Sequence, residues 1–272
     1  VLQFIPIGET TVADRYTYMA ALGIFYLLAE AISWLYSRKI RYVYFSRYLI
    51  VAVLTILAAF LISLTWKRCQ VWENSLSLWD DVLKKYPNVA TAYNSRGAEY
   101  LLRQDYARAQ TDFMNALSLD GDYYEAYFNL GSLYRSKGNY NEAVRLIDKT
   151  LQINPRYLKA YDMLAAIYAS TGKHSEVVKI CRHEIKIKDN HIQAYVNLSS
   201  AYGNLGNFQE AIFYGEKAVA INPNSALAHL NLSAAYFYAK KYDLAIKHCD
   251  KAVGLGYPVC PKFLAELEIY RK

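Results

Sequence analysis

At 272 residues the chain has room for one large or two ordinary domains, and 54% hydrophobic with 20% charged residues describes a folded protein with some excess apolar content. The net charge of +7 is uneven: residues 1–68 hold Arg15, Arg38, Lys39, Arg41, Arg47, Lys67 and Arg68 against Glu9, Asp14 and Glu30, which is +4 of the total. These basic groups gather at the ends of apolar runs, as membrane flanks do, and no basic stripe interleaved with aromatics marks the remainder, so no nucleic-acid partner is expected.

The chain begins at Val1 with neither a starting Met nor a cleavable signal pattern, and reads as the C-terminal part of something longer. Asp14 and Arg15 stand at the mouth of a first apolar run, about 16–36, which contains Glu30. An intramembrane carboxylate is costly unless paired, facing a cavity or close enough to the interface to reach water. A second run, Tyr48 to Trp66, has no charged residue over nineteen positions, with an aromatic ring at each end. As a helix it would be about 28 Å long, close to the hydrocarbon thickness of a bilayer. Residues 1–68 are therefore expected to be a transmembrane segment of two helices. Arg38, Lys39, Arg41 and Arg47 lie between them, against Arg15, Lys67 and Arg68 on the other side, so the charge bias places the connecting loop in the cytoplasm and the remainder outside.

From Ala90 the sequence repeats. Tyr100, Tyr134, Tyr168, Tyr202 and Tyr236 are each 34 residues apart, as are Ala92, Ala126, Ala160, Ala194 and Ala228, and Ala109, Ala143, Val177, Ala211 and Ala245. In the clearest copy Tyr127, Leu130 and Tyr134 make an apolar helix face, Gly131 and Ala143 are small for close helix approach, and Pro155 stops the second helix. Over 90–259 this period and pattern resemble the tetratricopeptide (TPR) family. The resemblance implies an all-α fold: five helix–turn–helix units in a right-handed solenoid. One period back, 69–89 ("ENSLSLWDDVLKKYP" at its centre) reads as a second-helix half-repeat joining membrane to solenoid. Residues 260–272 read as a capping helix.

The groove of such a solenoid would bind protein or peptide. Asn129, Asn197 and Asn231 fall at one register position, with Ser95 and Met163 in the same place. Asn94, Phe128 and Asp162 stand one residue earlier in their units, and Phe237 and Tyr238 offer apolar contact. Asparagine can both donate to and accept from an extended backbone. This resembles the asparagine ladder of the TPR part of O-linked N-acetylglucosamine transferases, although Asn is also simply common there in TPRs. His174, His183, His191, His229 and His248 are scattered through different repeat positions, so no metal site and no cofactor is expected, and His229 reads as a packing replacement for an aromatic ring. Cys181 and Cys249 lie two repeats apart, too far for a disulfide, while Cys249 with Cys260 is sterically conceivable.

"ADRYTYMAALG", two apolar runs, "VWENSLSLWDDVLKKYP" and then TPRs together resemble the C-terminal section of transmembrane and TPR-containing O-mannosyltransferase-like proteins and their bacterial relatives. That resemblance implies an integral, multi-pass membrane protein with external TPRs. Its C-type glycosyltransferase domain would lie upstream and use a lipid-phosphate sugar donor, so no catalytic residue falls in this chain. It also implies that Asp14 and Arg15 lie near the lipid phosphate, where a guanidinium fork suits the anion; a headgroup anchor or a salt bridge to another span is the alternative. A membrane-anchored adaptor without chemistry remains the second reading of the whole.

Overall fold

A computed structural model describes residues 26, 29, 30, 33, 43–71 and 74–271, with side chains left undescribed at 43–51 and 67–70. Asp14, Arg15 and most of the first apolar run lie outside the described residues. Within that run Glu30 is exposed and accepts a hydrogen bond from the Tyr26 hydroxyl at 3.3 Å, one helical turn away. Among the described residues all regular structure is helical. The chain divides into two compact units, 1–121 and 122–272.

In the first unit α1 (Val43–Val71) is a single helix of 29 residues. It starts at Val43, inside the stretch expected to be the loop, because nothing in "VYFSRY" breaks a helix: there is no Gly and no Pro. Its described side chains are mostly apolar; Leu54, Ala58 and Leu61 form a half-buried stripe and the rest of 52–66 is exposed, with Ile56 70%, Phe60 58%, Ile62 68% and Trp66 68% accessible. Among the described residues, no helix is long and apolar enough to cross a membrane.

α2 (Ser75–Lys85) is tied back to α1 by its first turn. Asn74 caps α2 by accepting from the Ser77 amide, while the Ser77 hydroxyl donates to the Val71 carbonyl at 3.0 Å. α2 is the expected half-repeat. Its Val82 and Leu83 are buried with Ala92, against Leu78, Trp79 and Tyr93. α3 (Ala90–Leu102) and α4 (Tyr106–Leu119) complete one hairpin, closed where Gly97 leaves room for the Phe113 ring; a Cβ there would lie 2.8 Å from it.

The second unit holds four hairpins and a last helix. These are α5 (Tyr124–Ser136) with α6 (Tyr140–Ile153), α7 (Leu158–Ser170) with α8 (His174–Ile187), α9 (Ile192–Asn204) with α10 (Phe208–Ile221), and α11 (Ala226–Tyr238) with α12 (Tyr242–Gly254), then α13 (Pro261–Glu268). The small-residue seam is where the 34-residue register put it: Ala143, Ala211 and Ala245 are fully buried and Val177 nearly so. A Cβ on Gly131 would stand 2.7 Å from Ile147, so only hydrogen fits. α13 buries Leu267 and closes the end of this unit. The thiols of Cys249, buried, and Cys260, exposed, are free, so the conceivable disulfide does not form.

Candidate functional site

Each expected groove residue has a definite place. Asn94 and Met163 are buried; Ser95, Phe128, Asn129, Asp162, Asn197, Asn231 and Phe237 are half-buried; Tyr238 is 60% exposed. Several are engaged within the fold. The Asn231 amide donates to the Val196 carbonyl at 3.2 Å, tying α11 to α9, and the Asn197 oxygen accepts from Gln193 at 2.9 Å. Phe128 meets Tyr157 edge to face at 5.2 Å. Phe237 meets Phe263 at 5.5 Å and Tyr270 at 6.1 Å, so its ring is spent on the C-terminal segment rather than offered to a ligand. Tyr238 stacks on Phe208 at 5.3 Å and remains presented to solvent. Concavities open at hairpin turns, one of about 520 Å³ lined by Tyr168, Lys173, His174, Glu176 and Leu205.

His229 does more than fill the place of an aromatic ring. Its Nε2 lies 3.0 Å from the Pro223 carbonyl, six residues back, and Tyr161, at the same register position, donates its hydroxyl to the Pro155 carbonyl at 2.8 Å. With Nε2–H donating, His229 Nδ1 is left to accept from His248 Nδ1 at 2.8 Å. Burial, the neighbouring His229 and Lys247 push the His248 pKa down, which favours its neutral ring in the stack on His229.

A second cluster escaped the sequence reading. Asp162 on α7, Glu184 on α8 and His191, the residue capping the start of α9, bring ligand atoms within 4.8 Å of one another. The Glu184 side chain is fully buried, and those of Asp162 and His191 are 31% and 17% exposed. His191 Nδ1 lies 3.0 Å from Glu184 Oε1 without the alignment of a hydrogen bond. Both Glu184 oxygens and Asp162 Oδ1 are buried with no hydrogen-bond partner. Burial and the adjacent Asp162 push Glu184 up to about 8, and burial raises Asp162. The Cys181 thiol, buried beside them, is pushed up as well. One signal for this cluster was present in the sequence: Glu184 occupies the position that is Ala116, Thr150, Ala218 and Ala252 in the other units.

Residues 124–157 and 192–225 each match a tetratricopeptide-repeat family model. No curated protein matches the chain in sequence. Among solved structures, YrrB, described as a TPR protein with an unusual peptide-binding site, superposes with a TM-score of 0.54 at 20% identity, over 65% of this chain and 91% of its own. MamA 41-end from Desulfovibrio magneticus RS-1 gives 0.56 at 20%, over 61% and 94%. The pilF protein of Pseudomonas aeruginosa gives 0.57 at 17%, over 62% and 78%. At these identities the likeness concerns the fold. With the seam and turns in register, 124–157 and 192–225 are tetratricopeptide repeats, and the helical hairpins of this chain have the tetratricopeptide-repeat fold.

Proposed function

We propose that this chain is a membrane-anchored protein-interaction module whose repeats capture an extended segment of a partner protein. One observation carries the reading: Asn129, Asn197 and Asn231 share one register position on the first helices of their repeats, with the buried Met163 at that position between the first two. Asn231 uses its nitrogen on Val196, which leaves its oxygen to accept from a peptide N–H, and the Tyr238–Phe208 stack offers an apolar contact nearby in sequence. That YrrB is described as having a peptide-binding site supports the mode of use. The test is a peptide array on the purified chain in detergent, followed by titration of the strongest hits. Asn129→Ala with Asn197→Ala should weaken them at least tenfold while leaving helicity intact. Unchanged affinity in that variant would remove the ladder.

Anchoring is the second element of the proposal. A helix apolar around its whole circumference has no water-facing side. Over its described side chains α1 carries no charge and only three hydroxyls, of which Thr55 and Thr65 donate to the helix's own carbonyls, and the sequence carries the uncharged run back to Tyr48. We infer two spans, about 16–36 and 48–66, with the TPRs external, in a multi-pass integral membrane protein. The partner reading that follows from the resemblance to O-mannosyltransferase-like proteins is a lipid-phosphate-linked sugar near Asp14 and Arg15, the chain presenting protein substrate to an upstream glycosyltransferase domain. A purely adaptor role is its alternative. Arg15→Lys keeps the charge and loses the guanidinium fork, so loss of glycosyl transfer by the longer protein supports the enzyme reading, and unaltered transfer refutes the phosphate role. Cysteines placed at 15 and 40 should label from opposite faces of the membrane.

A further inference from the structure

The geometry points to a divalent transition-metal site of zinc type formed by Asp162, Glu184 and His191, clipping three consecutive helices of the second unit together. It is independent of peptide capture. Glu184 is the decisive residue: its side chain is fully buried, at a seam position where four other units carry Ala or Thr, and neither carboxylate oxygen has a hydrogen-bond partner. The Glu184 carboxylate and the buried Oδ1 of Asp162 have no donor to exchange, so holding them together requires a cation or a proton between them. A cation accounts for the third member as well. Imidazole with two carboxylates is a borderline-to-hard donor set that suits zinc and its first-row neighbours. Two negative charges also neutralise a divalent ion in a partly buried site.

The distances fit after a small adjustment. Ligands at about 2.0–2.2 Å from zinc stand roughly 3–4 Å apart in a tetrahedron. His191 Nδ1 and Glu184 Oε1 already stand 3.0 Å apart, and the full set within 4.8 Å must tighten by under about 1 Å. Asp162 and His191 are the partly exposed members, so solvent reaches the site from their side and supplies the remaining ligand. The ion would brace α7, α8 and the start of α9 from within, where the other units rely on small apolar contacts.

The experiment uses the whole chain, without an affinity tag, in detergent micelles, stripped with chelator and titrated with zinc chloride by calorimetry and by thermal melting. The expected result is one tight zinc per chain and a higher melting temperature. Glu184→Ala installs the residue the other units hold there, so it should fold with unchanged helicity. It should also lose zinc affinity by more than the roughly 10–100-fold that an outer-shell change costs. If that variant fails to fold, His191→Tyr, which copies Tyr157 of the preceding unit, takes its place with the same expectation. A wild-type chain whose melting ignores zinc, leaving a shared proton as the occupant, overturns the site. So does a folded Glu184→Ala chain that binds zinc as the wild type does, because the ion would then sit on other histidines.

Discussion

Two residue-scale substitutions set the first hairpin apart. Arg96 and Asp112 stand where later units have Leu130 and Leu146, Leu164 and Ile180, or Leu198 and Tyr214. The guanidinium grips Asp112 through Nε and Nη2, both at 2.8 Å, and reaches Asp80 at 2.7 Å, so one ionic clamp joins α2, α3 and α4. Asp112 is 4% exposed and Asp80 55%, so almost all of the cost of breaking the clamp lies with Asp112. Arg96→Leu strands that carboxylate and should destabilise the first unit by about 3–5 kcal/mol in urea denaturation, whereas adding Asp112→Leu should recover most of the loss. Additive costs in the double variant would contradict the coupling. At the other end of the chain, the depressed pKa of His248 fixes a sign. The unfolded chain binds its proton more readily, so stability is fully present above the ordinary histidine value near 6.5 and falls as pH drops through it toward the lower folded value. The wild-type melting temperature should therefore fall relative to that of His248→Gln between pH 7 and pH 5.5, a comparison in which the opposite titration of Glu184, raised to about 8, cancels.

At the scale of the helical hairpin, two register positions do most of the shaping. The seam position runs Gly97, Gly131, Ala165, Ser199 and Ser233. Where it is Ser, the hydroxyl turns its polarity inward: Ser199 donates to the Ala211 carbonyl at 2.8 Å and Ser233 to the Ala245 carbonyl at 2.7 Å. Ala143 faces this seam and is fully buried, so Ala143→Leu should overpack it by roughly 1–3 kcal/mol, read as a lower melting temperature. The turn position runs Gln104, Gly138, Gly172, Gly206 and Lys240, and all five have positive φ, with 61° at Gln104 and Lys240. A side chain in that region costs about 1–2 kcal/mol, offset in part by the extra chain entropy glycine must lose. Lys240→Gly should thus raise stability by up to about 1 kcal/mol; a neutral or negative shift would mean that the Lys240 backbone is unstrained.

At the scale of the molecule, the problem is what covers the ends. In the second unit α13 buries Leu267, and Tyr242 and Tyr270 stack with centroids 3.6 Å apart beside Phe237. The Arg271 guanidinium pairs with Asp250 across the same closure. A chain ending at Gly256 would expose Phe237 and Tyr242, and should melt lower and self-associate with rising concentration in detergent; a monomeric, equally stable truncation would show the closure to be dispensable. The first unit begins instead with α1, most of whose described side chains are exposed among the described residues, and the proposed bilayer would cover them.

Much of this was readable in advance because a TPR array is nearly one-dimensional: each hairpin meets its neighbours through positions that recur every 34 residues. The sequence therefore determined the helix pairs, the glycine and alanine seam and the half-repeat in α2, and marked the C-terminal cap. It also held the exceptions to the register, with Arg96 and Asp112 at positions that are apolar in the next three units and Glu184 at a position otherwise Ala or Thr, but an exception alone does not name its partner. Which charges meet depends on helix rotation and rotamers, set by packing between elements far apart in sequence. Only the tertiary structure decided that Arg96 clamps two helices at once, that Phe237 is consumed by the cap, and that Asp162, Glu184 and His191 converge on one buried point.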